Sequence, residues 1–226
     1  KFHNFDGLPM RLNPIQKPYP PMWYMRNAET AALEKMNTVV VGTLDSLRTE
    51  TYRYKRVWEE THGVQGKTAQ GTEPKIGLVV HMVIAETDEK AIELATPAWE
   101  QYRWNLAAPR RIEAEKRGLT QFQNSSDGSF GFVGDRPKDL PSRETRKDIE
   151  AEIERFDQQS DKSDPTRLGG VALAGSPESV QRYIEEYIDT GANYFMCSFQ
   201  WGNLSHDTAM KSIELFNKYI MPNYGG

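Results

Sequence analysis

The sequence has one cysteine, Cys197, which excludes an internal disulfide and a cysteine-based zinc site. With no signal peptide read at its start, the expected compartment is a reducing cytoplasm. Long hydrophobic runs are missing too. The longest, residues 76–85, contains a histidine and is far shorter than the roughly 20 residues of a membrane-crossing helix. Charge of one sign is also lacking, since 28 Lys plus Arg stand against 32 Asp plus Glu, and no basic patch is interleaved with aromatics. Neither a nucleic acid nor a membrane is therefore an expected partner, and a small organic ligand is easier to accommodate. No G-x-G-x-x-G follows an apolar run, so the usual dinucleotide fingerprint is absent. No set of histidines and carboxylates has metal-ligand spacing, and no metal is expected. What is present, 226 residues of which 38 % are hydrophobic, is enough for one sizeable core.

Residues 1–21 carry five prolines and no helical periodicity, which holds them extended. Lys1 is not a methionine, and this opening reads as the continuation of something already under way. From there the chain alternates. An apolar run at 22–25 leads to Asn27, placed to cap a helix with Ala31, Ala32 and Met36 on one side. A β-branched run at 38–41 precedes a charged surface helix that carries Leu44, Leu47 and Val57. The run at 76–85 has the look of a fully buried strand, followed by Thr87 as the cap of a helix with Ala91, Leu94, Ala95 and Ala98. From Trp99 to about Arg167 the composition shifts to Gly, Ser, Pro and charge, which predicts an insertion rather than core. Order returns where Ser176-Pro177-Glu178 opens a helix striped by Val180, Tyr183, Ile184 and Tyr187 and stopped by Gly191. A strand at 194–199 and a last helix capped by Ser205, ending before Pro222, complete four strand-to-helix units. This pattern predicts an α/β fold with a parallel sheet covered by helices, as an open doubly wound sheet or a closed barrel.

Five segments, in order, resemble the bacterial luciferase-like flavin monooxygenases: Gln16-Lys-Pro-Tyr-Pro-Pro-Met-Trp-Tyr24, Asn27-Ala-Glu-Thr-Ala-Ala32, Ala174-Gly-Ser-Pro-Glu-Ser-Val180, Thr190-Gly-Ala-Asn-Tyr-Phe195, and Trp201-Gly-Asn-Leu-Ser-His-Asp-Thr-Ala-Met210 with Leu215-Phe216 and Met221-Pro222. The resemblance implies a (β/α)₈ TIM-barrel type fold, for which about 250 residues is typical. The four runs align with strands 5 to 8, so the chain is expected to be a single domain, 1–226, forming the C-terminal half of such a barrel. Residues 118–167 would be an insertion or lid between strand 7 and helix 7. Either the polypeptide was cut or the sequence is partial, and the missing N-terminal half of the barrel is an expected partner. A half-barrel that completes itself by dimerising is the lesser alternative.

By the same resemblance the chain is expected to be an FMN-dependent monooxygenase, inactive as this fragment alone. It would take reduced FMN from a partner flavin reductase and oxidise a small, apolar organic substrate with O₂. Homodimers are usual in the family. Two alternatives stand beside this: a deazaflavin-dependent hydride-transfer enzyme, and a non-catalytic flavin-binding or scaffold subunit of the same fold.

Among single residues, His81 interrupts the most apolar run, where a polar ring costs free energy unless it is paired. The family places a histidine of this strand near the flavin, which makes His81 the catalytic candidate. Val79 occupies the position of an arginine in sulfonate-oxidising relatives, which counts against a sulfonate substrate. By the resemblance, the helix start at Arg26, Asn27 and Ala28 takes the place of the turn that holds the FMN phosphate, through free N–H groups, the dipole and the arginine, and a plain N-cap with a solvated arginine is the alternative. Arg167, closing the insertion, is a further candidate for phosphate, and a solvated loop arginine is its plain alternative. Gln200 and Trp201 follow the last strand, at the end where barrel active sites lie, and are expected to line a substrate pocket. Leu204 stands where some relatives carry an active-site tyrosine. His206 reads as a capping or surface residue, and Cys197 as core.

Overall fold

The computed structural model describes Gly7 and residues 13–25, 27–40, 42–117, 164–169 and 172–224. In it the long apolar run becomes β3 (Ile76–Ile84), the centre of a six-stranded sheet. β1 (Trp23–Met25) pairs parallel with β2 (Asn37–Val40), and β2 pairs with the lower part of β3. β6 (Tyr194–Ser198) runs parallel along the other edge of β3, from Gly77 to His81. β5 (Ala172–Gly175) takes the upper part of the first edge, beyond β2, opposite His81 to Ile84. The two-residue β4 (Arg167–Leu168) is antiparallel to β5. β3 has neighbours on both edges, and seven of its nine residues are buried, which is why its sequence is apolar almost throughout.

The parallel α/β pattern is as expected, with two additions. The sequence reading counted four strands, and β4 and β5 are extra. Ala172-Leu-Ala-Gly175 has little β-propensity, and it becomes a strand because the upper edge of β3 would otherwise leave its peptide groups unpaired. The helix after β3 also runs past Trp99, where an insertion was expected to begin. α3 spans Asp88–Lys116. The expected lid at 118–167 lies outside the described residues except for 164–167.

Alternate residues of β3 face opposite layers. Leu78, Val80, Met82 and Ile84 point outward into the main core, where they meet α2 (Leu44–His62), α4 (Pro177–Asp189) and α5 (His206–Leu215). Leu47, Val180 and Tyr187 are at most 1 % exposed there, each adding roughly 1.5–3 kcal/mol of burial. The Tyr187 hydroxyl sits in the seam between two strands: it accepts the Leu78 N–H at 2.6 Å and donates to the Tyr194 carbonyl at 2.7 Å. Caps read from the sequence are in place. Asn27 accepts from the Thr30 N–H to open α1 (Ala28–Leu33), and Ser176 and Ser205 do the same for α4 and α5; Thr43, not singled out from the sequence, caps α2.

Asp88, at the start of α3, binds this layer to the next. It accepts the Ser176 N–H at 2.7 Å and the Ser179 hydroxyl at 2.8 Å, joining the first turns of α3 and α4. Burial pushes its carboxyl up, but these hydrogen bonds and the charge of Arg182 outweigh that and hold it below the usual carboxylate range.

Candidate active site

The other face of the sheet carries the odd residues of β3: Gly77, Val79, His81 and Val83. Parallel register sets Tyr194, Met196 and Ser198 of β6 beside the first three of these. Val39 and then Met25 continue the row from Gly77 to the far edge. The Trp23 and Tyr194 rings meet on this face at 5.1 Å, and at Gly77 the β6 backbone of Tyr194 presses where a Cβ would stand. This inner face is covered unevenly. α3 lies over its upper end, where Ala91, Ala95 and Ala98 are at most 1 % exposed against Val83 and Ala172. Farther down it is open, and Val79 in the middle of the central strand is 38 % exposed.

His81 stands at the boundary. Its Nε2 lies 3.0 Å from the Tyr102 hydroxyl, and its ring meets those of Tyr102 and Trp201 at 4.6 and 5.7 Å. Nδ1 is buried and has no hydrogen-bond partner among the described residues. Burial also lowers the imidazole pKa below its ordinary 6.5, so the ring is neutral at neutral pH. Trp201, 5 % exposed, donates its indole N–H to the Met82 carbonyl at 3.3 Å, which fixes its plane beside His81. Trp99 completes the cluster, 6.4 Å from Trp201 and stacked on Tyr102 at 5.9 Å.

Two glycines let α3 come this close. Gly202 has φ +58°, and any Cβ there would strike the backbone of Ala98. Gly169, with φ +56°, lies against the Trp99 ring in the same way.

The structure brings together His81 and Trp201 of the residues singled out from the sequence. Gln200 is exposed and donates to the Leu204 carbonyl at 2.8 Å, bracing its own loop. Asn27 and Ala28 open α1 at the end of β1, toward the same carboxyl end of the sheet as His81. The Asn27 side-chain oxygen is engaged with Thr30, and Ala28 is buried against α2. Arg26 lies outside the described residues. Arg167 donates through Nη2 to both Glu186 oxygens at 2.6 and 2.7 Å, has Asp164 3.3 Å from Nε, and lies over the Tyr183 ring, on the helix side of the sheet. Burial lowers its pKa, but the two carboxylates outweigh that and raise it, keeping the charge. His206 is exposed at the first position of α5. Cys197 points into the outer core, where burial pushes its thiol up to about 11. Among the described residues no group of histidines, cysteines and carboxylates is placed to hold a metal, and no helix is long and apolar enough to cross a membrane.

Sequence reasoning missed Tyr102 and Trp99, which had been assigned to the insertion. The signal was available in the spacing: Ala91, Ala95, Ala98 and Tyr102 follow one another at four, three and four residues, one continuous helix stripe.

No family model matches the chain. Among solved structures, the monooxygenase RslO1 from Streptomyces bottropensis superposes on all of it with a TM-score of 0.56 and 15 % identity, over 54 % of that protein. The oxygenating constituent of 3,6-diketocamphane monooxygenase from Pseudomonas putida, a type II Baeyer–Villiger enzyme solved with FMN, gives a TM-score of 0.48 at 16 % identity, over 90 % of this chain and 49 % of that one. The coenzyme F420-dependent tetrahydromethanopterin reductase of Methanopyrus kandleri gives 0.49 at 15 %, over 90 % and 51 %. The chain thus spans about half the length of the structures it matches. It has the α/β fold, of the eight-stranded barrel type, of the corresponding half of the Streptomyces monooxygenase.

Proposed function

We propose that this chain forms the C-terminal half of a flavin-dependent oxidoreductase, one that receives reduced FMN from a partner reductase and oxygenates a small, apolar organic molecule with O₂. The observation that carries the reading is the buried, unpartnered Nδ1 of His81 beside two aromatic rings, next to the apolar pair Val79 and Met196. A buried polar atom left single costs about 1–3 kcal/mol unless a ligand completes it. The residues fit a flat conjugated ring: Trp201 and Tyr102 wall its upper side, Val79 and Met196 offer an apolar floor, and His81, with Ser198 beside it, supplies polar contact. Toward the phosphate, the proposed contacts are the opening of α1 at Asn27 and Ala28, with Arg26 beside it. Arg167 reaches a phosphate only by leaving Glu186.

Reduced FMN, when bound, supplies two electrons for the reaction with O₂. The protein's part is to orient the substrate against the ring, exclude water with Trp201 and Tyr102, and hold a hydrogen bond at His81 Nδ1. Valine at position 79 sets no cation next to His81, the Lys75 ammonium lying lower down over the Tyr194 ring at 4.8 Å, which suits a neutral substrate better than a sulfonate. The N-terminal half of the barrel closes the open part of the face, and the 226-residue chain alone has no turnover.

The test is oxygen uptake and product analysis on the full-length polypeptide with reduced FMN and apolar substrates. An oxygenated product is expected, and His81→Ala is expected to lower turnover roughly 10²-fold with FMN affinity kept. Oxidation of reduced deazaflavin without O₂ uptake would transfer the protein to hydride-transfer chemistry. Flavin binding without turnover would leave a scaffold.

A further inference from the structure

The Tyr102 hydroxyl has one polar neighbour among the described residues, His81 Nε2, and His81 Nδ1 has none. The ring is neutral, so it carries a single N–H, and there are two ways to arrange the protons. If Nε2 carried the hydrogen and donated to the phenol oxygen, the phenol O–H of half-buried Tyr102 would turn to solvent and the Nδ1 lone pair would be buried without a partner. If the phenol donates to Nε2, the group left over is the N–H on Nδ1. Either way Nδ1 is unmatched, and the second arrangement makes the stronger bond, because a phenol is a better donor than a neutral imidazole N–H and the imidazole nitrogen a better acceptor than a phenol oxygen.

We infer that Tyr102 is a positioning residue that locks His81 in its Nδ1–H tautomer, so that the ring nitrogen left without a partner is a hydrogen-bond donor. The ligand atom it meets is then an acceptor, a carbonyl oxygen or an unprotonated ring nitrogen, and His81 acts toward it as donor or general acid, not as base. The ligand class rests on the flavin reading above; the tautomer does not. The geometry supporting it is rigid. Tyr102 is brought in by the alanine stripe of α3, and α3 in turn lies on Gly202 at Ala98 and has Gly169 against Trp99. Trp201 holds the far side of the imidazole.

The deciding measurement is long-range ¹H–¹⁵N correlation on the side chain of His81 in the full-length, ligand-free protein. A pyrrole-like Nδ1 and a pyridine-like Nε2 are expected at neutral pH. Tyr102→Phe is expected to move Nε2 toward the pyrrole-like region as the ring gains freedom to take its other tautomer. A wild-type spectrum showing Nε2–H would overturn the inference, and this arm needs no variant to fold. So would an unchanged tautomer in a folded Tyr102→Phe. Adding oxidised FMN separates this inference from the flavin reading. A downfield move of the Nδ1 proton supports both, whereas an Nδ1–H tautomer in a protein that does not bind FMN removes the flavin and leaves the role of Tyr102 standing.

Discussion

His81 makes the molecule sensitive to acid. Its folded pKa lies below 6.5, so as pH falls the unfolded chain takes up this proton first. The unfolded state then binds more protons than the native state, and stability decreases below about pH 6.5. Asp88 acts in a separate window, because its pKa is held under 3.8 and its contribution is lost only as pH falls through that lower value. The urea midpoint is therefore expected to drop between pH 7 and pH 5 by more in the wild type than in His81→Gln. Equal drops would mean that the ring is not buried as a neutral group. This residue was legible in the sequence because a histidine in so apolar a strand requires an explanation. Its partner was not. Tyr102 lies among charged residues after a shift in composition, and only the alanine spacing on its helix connects it to the site. Arg167 shows the reverse limit, since an arginine in a loop gives no sign in sequence of Glu186, a carboxylate 19 residues away that engages it.

At the level of elements, capped helices were the most readable parts, because Asn27, Ser176 and Ser205 each act on a backbone N–H within three residues. β5 was unreadable for the opposite reason: its existence depends on the vacant edge of a strand 91 positions earlier in the chain, as the pairing of Met82 with Leu173 shows. Two joints between elements give sharp expectations. Tyr187→Phe strips the seam between β3 and β6 of the hydroxyl that serves the Leu78 N–H and the Tyr194 carbonyl, and is expected to cost about 1–3 kcal/mol in denaturant unfolding. A Tyr187→Phe protein as stable as the wild type would show that the two backbone groups pair directly once the hydroxyl is gone. Gly202→Ala combines a left-handed backbone with a collision at Ala98, so α3 must lift. The expected result is loss of the close Tyr102–His81 contact, read as a change in the His81 ring signals, along with lower stability.

Over the whole molecule, the two faces of the sheet differ in kind. The outer face of β3 is closed by helices, while the inner face of the sheet exposes Trp23 and Met25 on β1 and Val79 on β3. Apolar area of this sort promotes association in water. The 226-residue chain by itself is expected to self-associate in sedimentation, and Met25→Lys with Val79→Lys to suppress this. Association unchanged by both lysines would place the contact elsewhere. The fold class was legible from the alternation of apolar runs and capped helices, but the composition of the inner face emerged only with the register, which sets residues from β1, β2, β3 and β6 side by side. One more property follows from the ring cluster. Trp99 and Trp201 lie 6.4 Å apart, and Trp201 is 5.7 Å from His81. An imidazolium quenches a nearby excited indole more strongly than neutral imidazole does, and a flat absorbing molecule bound on the inner face would drain its excitation. The light emitted by these two indoles thus reports, without any added label, both the protonation of His81 and the arrival of a ligand.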